Sequence, residues 1–297
     1  MEVVSCTTKC TSKRNKNISM NITMGVFMKK IWLQNLMLEV TRDCNNEPIC
    51  KFCLRGQKQD MYMSKEIVDA ILNNDELIVS RIDDILFTGG EILLNPDLIE
   101  YIVNLIIQKN IPLGAFSAIT NGLKLDEKVN RSLKSLYEIC FAKHLSHLAV
   151  SRDQFHQKPP VEILDEYKSF HFFNNNLFNF EYRNFDDIAR LGLAEENNIS
   201  GSMPVPLFSH YQPSLILYDI TKDDKRDIQY VCTQPIYVSS NGNVVDTCDM
   251  PYKYIDKLSI GNVSEKTIED IAIIGETTPK ILKLADEHDI YRARRPF

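Results

Sequence analysis

The feature that most constrains this chain is the alternation of strand-like and helix-like segments running from residue 31 to about residue 200. IWLQNLMLEV is β-like. SKEIVDAILNN places Ile67, Ile71 and Leu72 at helical spacing, with Ser64 positioned as N-cap. IDDILFT predicts a strand ended by Gly89-Gly90, and NPDLIEYIVNLIIQKN an amphipathic helix opened by Asn95 and Pro96. LGAFSAIT predicts a strand ended by Asn121-Gly122, LDEKVNRSLKSLYEICF a helix and LSHLAVS a strand. VEILDEYKSFHFF, FNFEYRNF and DDIARLGLAEENN continue as helix, strand and helix. Repeated βα units require a parallel sheet with right-handed crossovers. The chemically distinctive residues recur just after strands: three cysteines, Gly-Gly-Glu, Asn-Gly and Ser-Arg-Asp. In βα barrels that edge of the sheet carries the active site.

The chain has 297 residues, enough for one large α/β domain or for one domain with an appendage. Its net charge of −6 argues against a nucleic-acid partner. No run approaches the ~20 apolar residues of a membrane span, and MEVVSCTTKCTSKRNKNISM lacks the apolar stretch of a secretory signal. The expectation is a cytoplasmic protein with no membrane partner. Thiols stay reduced there, so eight cysteines point to metal or redox chemistry rather than disulfides.

Residues 1–27 read as a flexible tail, with Cys6 and Cys10 as incidental cysteines and Met24 or Met28 as alternative starts. After residue 200 the pattern changes. SMPVPLFSHYQPSLILYDI holds at least one strand, and PIYVSSNGNVVDT reads as a hairpin turning at Asn241-Gly242. Two short helices follow, around 265–274 and 278–287. The division expected is a tail (1–27), a core (28–210) and a C-terminal extension (211–297).

Cys44, Cys50 and Cys53 lie in the loop after LEVT, with spacing C-x5-C-x2-C. Three thiolates in one loop can hold a metal centre with a coordination position left open. On spacing alone, a cubane iron–sulfur cluster and a zinc site are both open readings, because C-x2-C is also half of a common zinc motif. A zinc site wants a fourth ligand nearby, yet none of the six histidines lies near the loop and the next cysteine is Cys140. Cys140, in the apolar LYEICF, reads as a core residue.

A strand, a three-cysteine loop, a helix, a second strand ending FTGGE and further βα units together resemble the radical SAM superfamily. The superfamily loop is usually C-x3-C-x2-C, so this one is longer between its first two cysteines. The resemblance implies a partial (β/α)6 TIM-type barrel, carrying here a small C-terminal β-hairpin plus helix extension. It implies that Cys44, Cys50 and Cys53 ligate a 4Fe–4S cluster whose fourth iron binds S-adenosyl-L-methionine. Phe52 matches the position beside the adenine. Thr88, Gly89, Gly90 and Glu91 match the GGE-type motif, with the glycines letting backbone approach the methionine moiety and Glu91 facing its amino group. Asn121 offers an amide to cofactor or substrate, and Ser151 and Asp153 match a position that binds ribose hydroxyls. For each of the two, a capping role in a surface turn is an equal alternative. His156 follows closely and could face the cavity, though a lone histidine is more often structural. The implied activity is reductive cleavage to a 5′-deoxyadenosyl radical, fed by a flavodoxin- or ferredoxin-type electron donor.

Cys232 and Cys248 bracket the hairpin, and IGNVSEKTIEDI follows. This resembles, in shortened form, the SPASM or twitch extensions of peptide-modifying radical SAM enzymes. That resemblance implies a peptide or protein substrate, with a small-molecule substrate also open. An auxiliary iron–sulfur cluster at Cys232 and Cys248 lacks thiolates, since no cysteine follows Cys248. Two other classes of function stay open: a zinc-stabilised, non-catalytic α/β binding protein, and a degenerate radical SAM partner subunit.

Overall fold

The computed structural model describes residues 29–75, 77–174, 191–199, 215–220, 226–232, 236–245 and 250–275. The predicted first strand is two strands, β1 (Lys29–Leu33) and β2 (Leu36–Thr41), interrupted at Gln34 and Asn35. Both lie parallel to one long strand, β3 (Leu77–Gly89), which extends the predicted IDDILFT at both ends. Leu33 faces Ile82 and Leu36 faces Ile85, the same offset on either side of the break, so the ladder resumes without a slip there. A slip does occur between Glu39 and Thr41. Such a bulge re-aims the end of a strand, and here it turns the chain into the cysteine loop.

Helix α1 (Lys65–Leu72) links β2 to β3, and α2 (Pro96–Gln108) links β3 to β4 (Leu113–Thr120). Helix α3 (Glu127–Ile139) leads to β5 (His147–Val150). Strands β3, β4 and β5 pair in parallel, as the βα pattern requires. Helix α4 (Val161–Lys168) follows, and Phe173 then bridges Leu148 in parallel, so one further strand position begins there. The strand expected in FNFEYRNF lies outside the described residues. Of the next predicted helix, the described part is α5 (Leu193–Glu196).

The sheet is open. The C-terminal segment adds strands at both ends: β6 (Leu215–Ile220) pairs antiparallel with β1, and β7 (Arg226–Cys232) with β6. The predicted hairpin forms as β8 (Ile236–Val238) and β9 (Asn243–Val245), with Gly242 at φ +83° in its turn. Strand β8 lies parallel to β2, so the cysteine-bearing strand is flanked on both sides. Helix α6 (Tyr252–Leu258), β10 (Gly261–Asn262) and α7 (Ile268–Gly275) complete the described chain. Of the two terminal helices expected, α7 corresponds to the first, and the second lies outside the described residues.

The core sits between the parallel strands and α1–α3. Helix α2 buries Leu98, Ile99, Ile102, Val103, Leu105 and Ile106. At ~1.5–3 kcal/mol per buried side chain, that packing outweighs intrinsic helix propensity. Cys140 is 4% exposed and belongs to this core, as its apolar surroundings imply. Ser64 and Asn95 stand at the N-caps of α1 and α2 as expected, but neither caps through its side chain. Asn95 precedes Pro96 at the start of α2, yet its Nδ2 donates to the carbonyls of Val40 (2.9 Å) and Met63 (3.2 Å). It stitches the helix to β2 instead of capping it. Among the described residues no helix is long and apolar enough to cross a membrane.

Candidate metal centre

The parallel strands end on one cavity of about 220 Å³. Cys44, Cys50 and Cys53 line it together with Phe52, Thr88, Gly89, Gly90, Glu91, Asn121 and Ser151. Ten of the eleven residues singled out from the sequence therefore meet at one place; Asp153 is the exception. The reason is topological: each ends or follows a parallel strand, and parallel strands bring their C-terminal ends to one edge.

The two glycines permit a close backbone approach within the protein itself. A Cβ on Gly89 would stand 2.1 Å from the carbonyl oxygen of Thr41, and one on Gly90 2.0 Å from that of Asp43. Gly90 N–H donates to Thr41 O and Glu91 N–H to Asp43 O, both at 2.8 Å. The glycines admit the backbone of the cysteine loop itself, pressing the end of β3 onto residues 41–43.

That contact buries Glu91, which is 1% exposed. Its Oε1 accepts from Thr120 Oγ1 (2.7 Å) and Leu93 N (3.2 Å), and its Oε2 from Asn121 N (2.7 Å). Burial pushes its carboxyl above the usual range, and these hydrogen bonds oppose the rise. A carboxylate has about four lone-pair sites, so a further acceptor position remains on Oε2. Thr120 is a site residue the sequence reading passed over; its position at the end of β4 was the available signal.

Asn121 serves the loop more than the cavity. Its Nδ2 donates to Asn45 Oδ1 (2.7 Å) and lies 3.8 Å from Cys44 Sγ, while its Oδ1 accepts from Leu123 N (3.0 Å). The five residues between Cys44 and Cys50 are thus pinned from β4. Inside that stretch the Glu47–Pro48 peptide is cis, and Asn46 is 1% exposed.

Asp153 stands behind the residues that line the cavity. Its Oδ1 accepts from Phe155 N (3.0 Å) and pairs with His156 Nδ1 (2.7 Å). His156 does line the cavity, with its ring edge-on to Phe52 at 5.6 Å. Phe155 packs on the other side of this group, 4.7 Å from Phe52. His156, set aside in the sequence as structural, is the residue that reaches the site, and Asp153 orients it.

Burial raises the pKa of all three cysteine thiols, and for Cys50 the neighbouring Cys53 and Cys44 add to the rise, up to about 12. Three thiolates crowded in a half-buried site need a positive partner, which a metal centre supplies. Among the described residues no three His, Cys, Asp or Glu side chains converge on a single ion. Three thiolates around one cavity can take three corners of a cubane and leave its fourth iron open, so the residues present fit such a centre.

The C-terminal segment closes the far side. Tyr252 of α6 lines the cavity, as does Arg42 beside the cysteine loop. Arg42 Nε donates to Glu39 (2.7 Å), and its two terminal nitrogens clasp Asp256 of α6 at 3.2 and 3.1 Å. Its charge stacks over the Tyr252 ring at 4.9 Å. Burial opposes that charge, but the bonds to Asp256 and the field of Glu39 prevail and raise its pKa. Glu39, fully buried, also accepts from Tyr237 OH, Ser240 N and Ser240 Oγ of the hairpin. Of the proposed auxiliary ligands, Cys232 is placed in β7 by its backbone, and Cys248 lies outside the described residues.

Comparison with known proteins agrees with this geometry. Residues 38–174 match the model of the Radical SAM superfamily. A stretch of 109 residues is 35% identical to an uncharacterized protein of Methanocaldococcus jannaschii, covering 35% of this chain and 36% of that protein. The match thus spans about a third of that relative's length. Among solved structures, a histidine-tagged anSMEcpe with bound AdoMet aligns over 81% of this chain and 80% of its own, at 17% identity and a TM-score of 0.46. Native anSMEcpe with bound AdoMet and a peptide aligns over the same shares, at 15% identity and 0.39. Scores this low add nothing to the family match.

Proposed function

We propose that this chain, which carries a radical SAM domain over residues 38–174, is a radical SAM enzyme acting on a peptide or protein substrate. The observation that carries the reading is the meeting of three cysteines with the Gly-Gly-Glu strand end around one cavity. When bound there, a 4Fe–4S cluster with S-adenosyl-L-methionine supplies reductive cleavage of the sulfonium, yielding methionine and a 5′-deoxyadenosyl radical.

Cys44, Cys50 and Cys53 hold three irons in this reading. Glu91 turns its remaining lone pair on Oε2 toward the amino group of the cofactor, its other sites being occupied by Thr120, Leu93 and Asn121. Phe52, braced by Phe155 and His156, offers an aromatic wall for the purine. Ser151 offers a hydroxyl to the ribose, and Asp153 acts through His156. Ile49, Leu54 and Ile119 give the cavity apolar walls that exclude water. The electron donor is a flavodoxin or ferredoxin. The peptide substrate is supported by the hairpin at Gly242 and the following IGN strand, which resemble a shortened SPASM or twitch extension.

The test is anaerobic purification and reconstitution, with iron and sulfide counted per chain and 5′-deoxyadenosine measured after reduction with S-adenosyl-L-methionine. The expected result is about four irons, lost in Cys50→Ala, and 5′-deoxyadenosine in the native protein. No cluster, stoichiometric zinc, or a Cys50→Ala variant that keeps its iron would overturn the reading. A cluster without cofactor cleavage would reassign the chain as a partner subunit.

A further inference from the structure

The stretch between Cys44 and Cys50 holds an asparagine that behaves unlike a loop residue. Asn46 is 1% exposed, and every polar atom of its side chain has a partner. Its Oδ1 accepts from the backbone N–H of Gln157 at 3.2 Å. Its Nδ2 donates to the carbonyl of Pro48 at 3.3 Å and to Cys50 Sγ at 2.8 Å. The orientation of this amide is fixed by its neighbours. A backbone N–H can only donate and a backbone C=O can only accept, so the oxygen must face Gln157 and the nitrogen Pro48. The sulfur of Cys50 is left as the acceptor of an N–H, a role that a metal-bound thiolate fills more strongly than a neutral thiol. Cys50 is itself 7% exposed, so this hydrogen bond sits where the local dielectric is low and its electrostatic effect is large.

We infer that Asn46 is a positioning and tuning residue for the cluster, donating an N–H···S hydrogen bond to the Cys50 thiolate that raises the reduction potential of the centre. This rests on the iron–sulfur reading of the site. Hydrogen bonds to ligating sulfur withdraw electron density, and they favour the reduced, more negative form of a cluster. The inference also assigns work to the unusual spacing. The longer C-x5-C stretch gives room for an amide that folds back onto the second cysteine, anchored on the far side by the turn that carries His156.

The experiment compares the native chain, Asn46→Ala and Asn46→Asp after anaerobic reconstitution. Iron and sulfide are counted first, and the midpoint potential is then read by redox titration of the EPR signal of the reduced cluster. Asn46→Asp keeps the oxygen that Gln157 requires and replaces the donor with an anion. Native-like iron content with a midpoint shifted to more negative potential is expected in both variants, further in Asn46→Asp. An unchanged or more positive midpoint would overturn the inference. So would loss of iron from both variants while the native chain keeps it, which would make Asn46 a builder of the loop and nothing more. A native chain without iron refutes instead the reading on which the inference rests, so the two failures are told apart.

Discussion

Replacing Arg42 by methionine tests how the C-terminal segment is held against the site. The change keeps the long aliphatic arm and removes the guanidinium. Glu39, with no solvent exposure, then keeps three of its four hydrogen-bond donors but loses its cation. Breaking a buried pair from one side costs roughly 3–5 kcal/mol. Asp256 on the other side is 46% exposed and is rescued by water, so its loss adds little. The stacking on Tyr252 adds up to ~1 kcal/mol. Against a usual folding stability of ~5–15 kcal/mol, this is a large fraction. With a urea slope of about 3 kcal/mol/M, the unfolding midpoint should fall by roughly 1–2 M. The partner measurement is Glu39→Gln, alone and combined with Arg42→Met. Removing the orphaned charge should make the double variant about 2 kcal/mol better than the sum of the single losses. A single-variant loss below ~1 kcal/mol, or additivity within ~0.5 kcal/mol, would refute the argument that a buried charge pair holds this junction.

Two other outcomes follow from the geometry. Gly90→Ala drives a Cβ onto the main chain at Asp43, which has no side chain to swing aside; iron bound per chain should fall sharply, with a stability loss of about 1–3 kcal/mol by thermal melting. Asp84 is pushed up to about 6 by burial, with Asp83 adding to the rise and a hydrogen bond from Ser117 opposing it. A carboxyl raised on folding binds more protons in the native state, so its contribution is full below about pH 4 and is lost as pH rises toward 6, by up to ~3 kcal/mol. Asp84→Asn should melt higher than the native chain at pH 7 and lose its advantage at pH 4; equal melting temperatures across that window would show that Asp84 is not the group responsible.

The parallel architecture was legible because its signals are local. Hydrophobic periodicity marked α1, α2 and α3, and the strand-terminating glycines marked the functional edge. The cysteines and Gly-Gly-Glu could be assigned to one site because each follows a strand of the same parallel set. What was illegible depends on distant contacts. His156 looked incidental because its meaning lies in Phe52 and Asp153, which face it only in the folded chain. Tyr252 and Asp256 carry no motif; they reach the site because β8 pairs with β2. Asn46 was hidden for another reason. An asparagine in a loop reads as a turn former, and only its burial and its contact with Cys50 distinguish it.

The pairing of β8 with β2 also sets an order of events during synthesis. Chains emerge from the ribosome N-terminus first, so β2 and the cysteine loop appear long before Ile236 and Asp256. Until then β2 has an open edge beside β3, and Glu39 and Arg42 lack their partners at Ser240 and Asp256. Contacts across such sequence separations form slowly. The nascent chain therefore presents its thiols on an unfinished wall, which β8 and α6 complete only once Leu258 has been made.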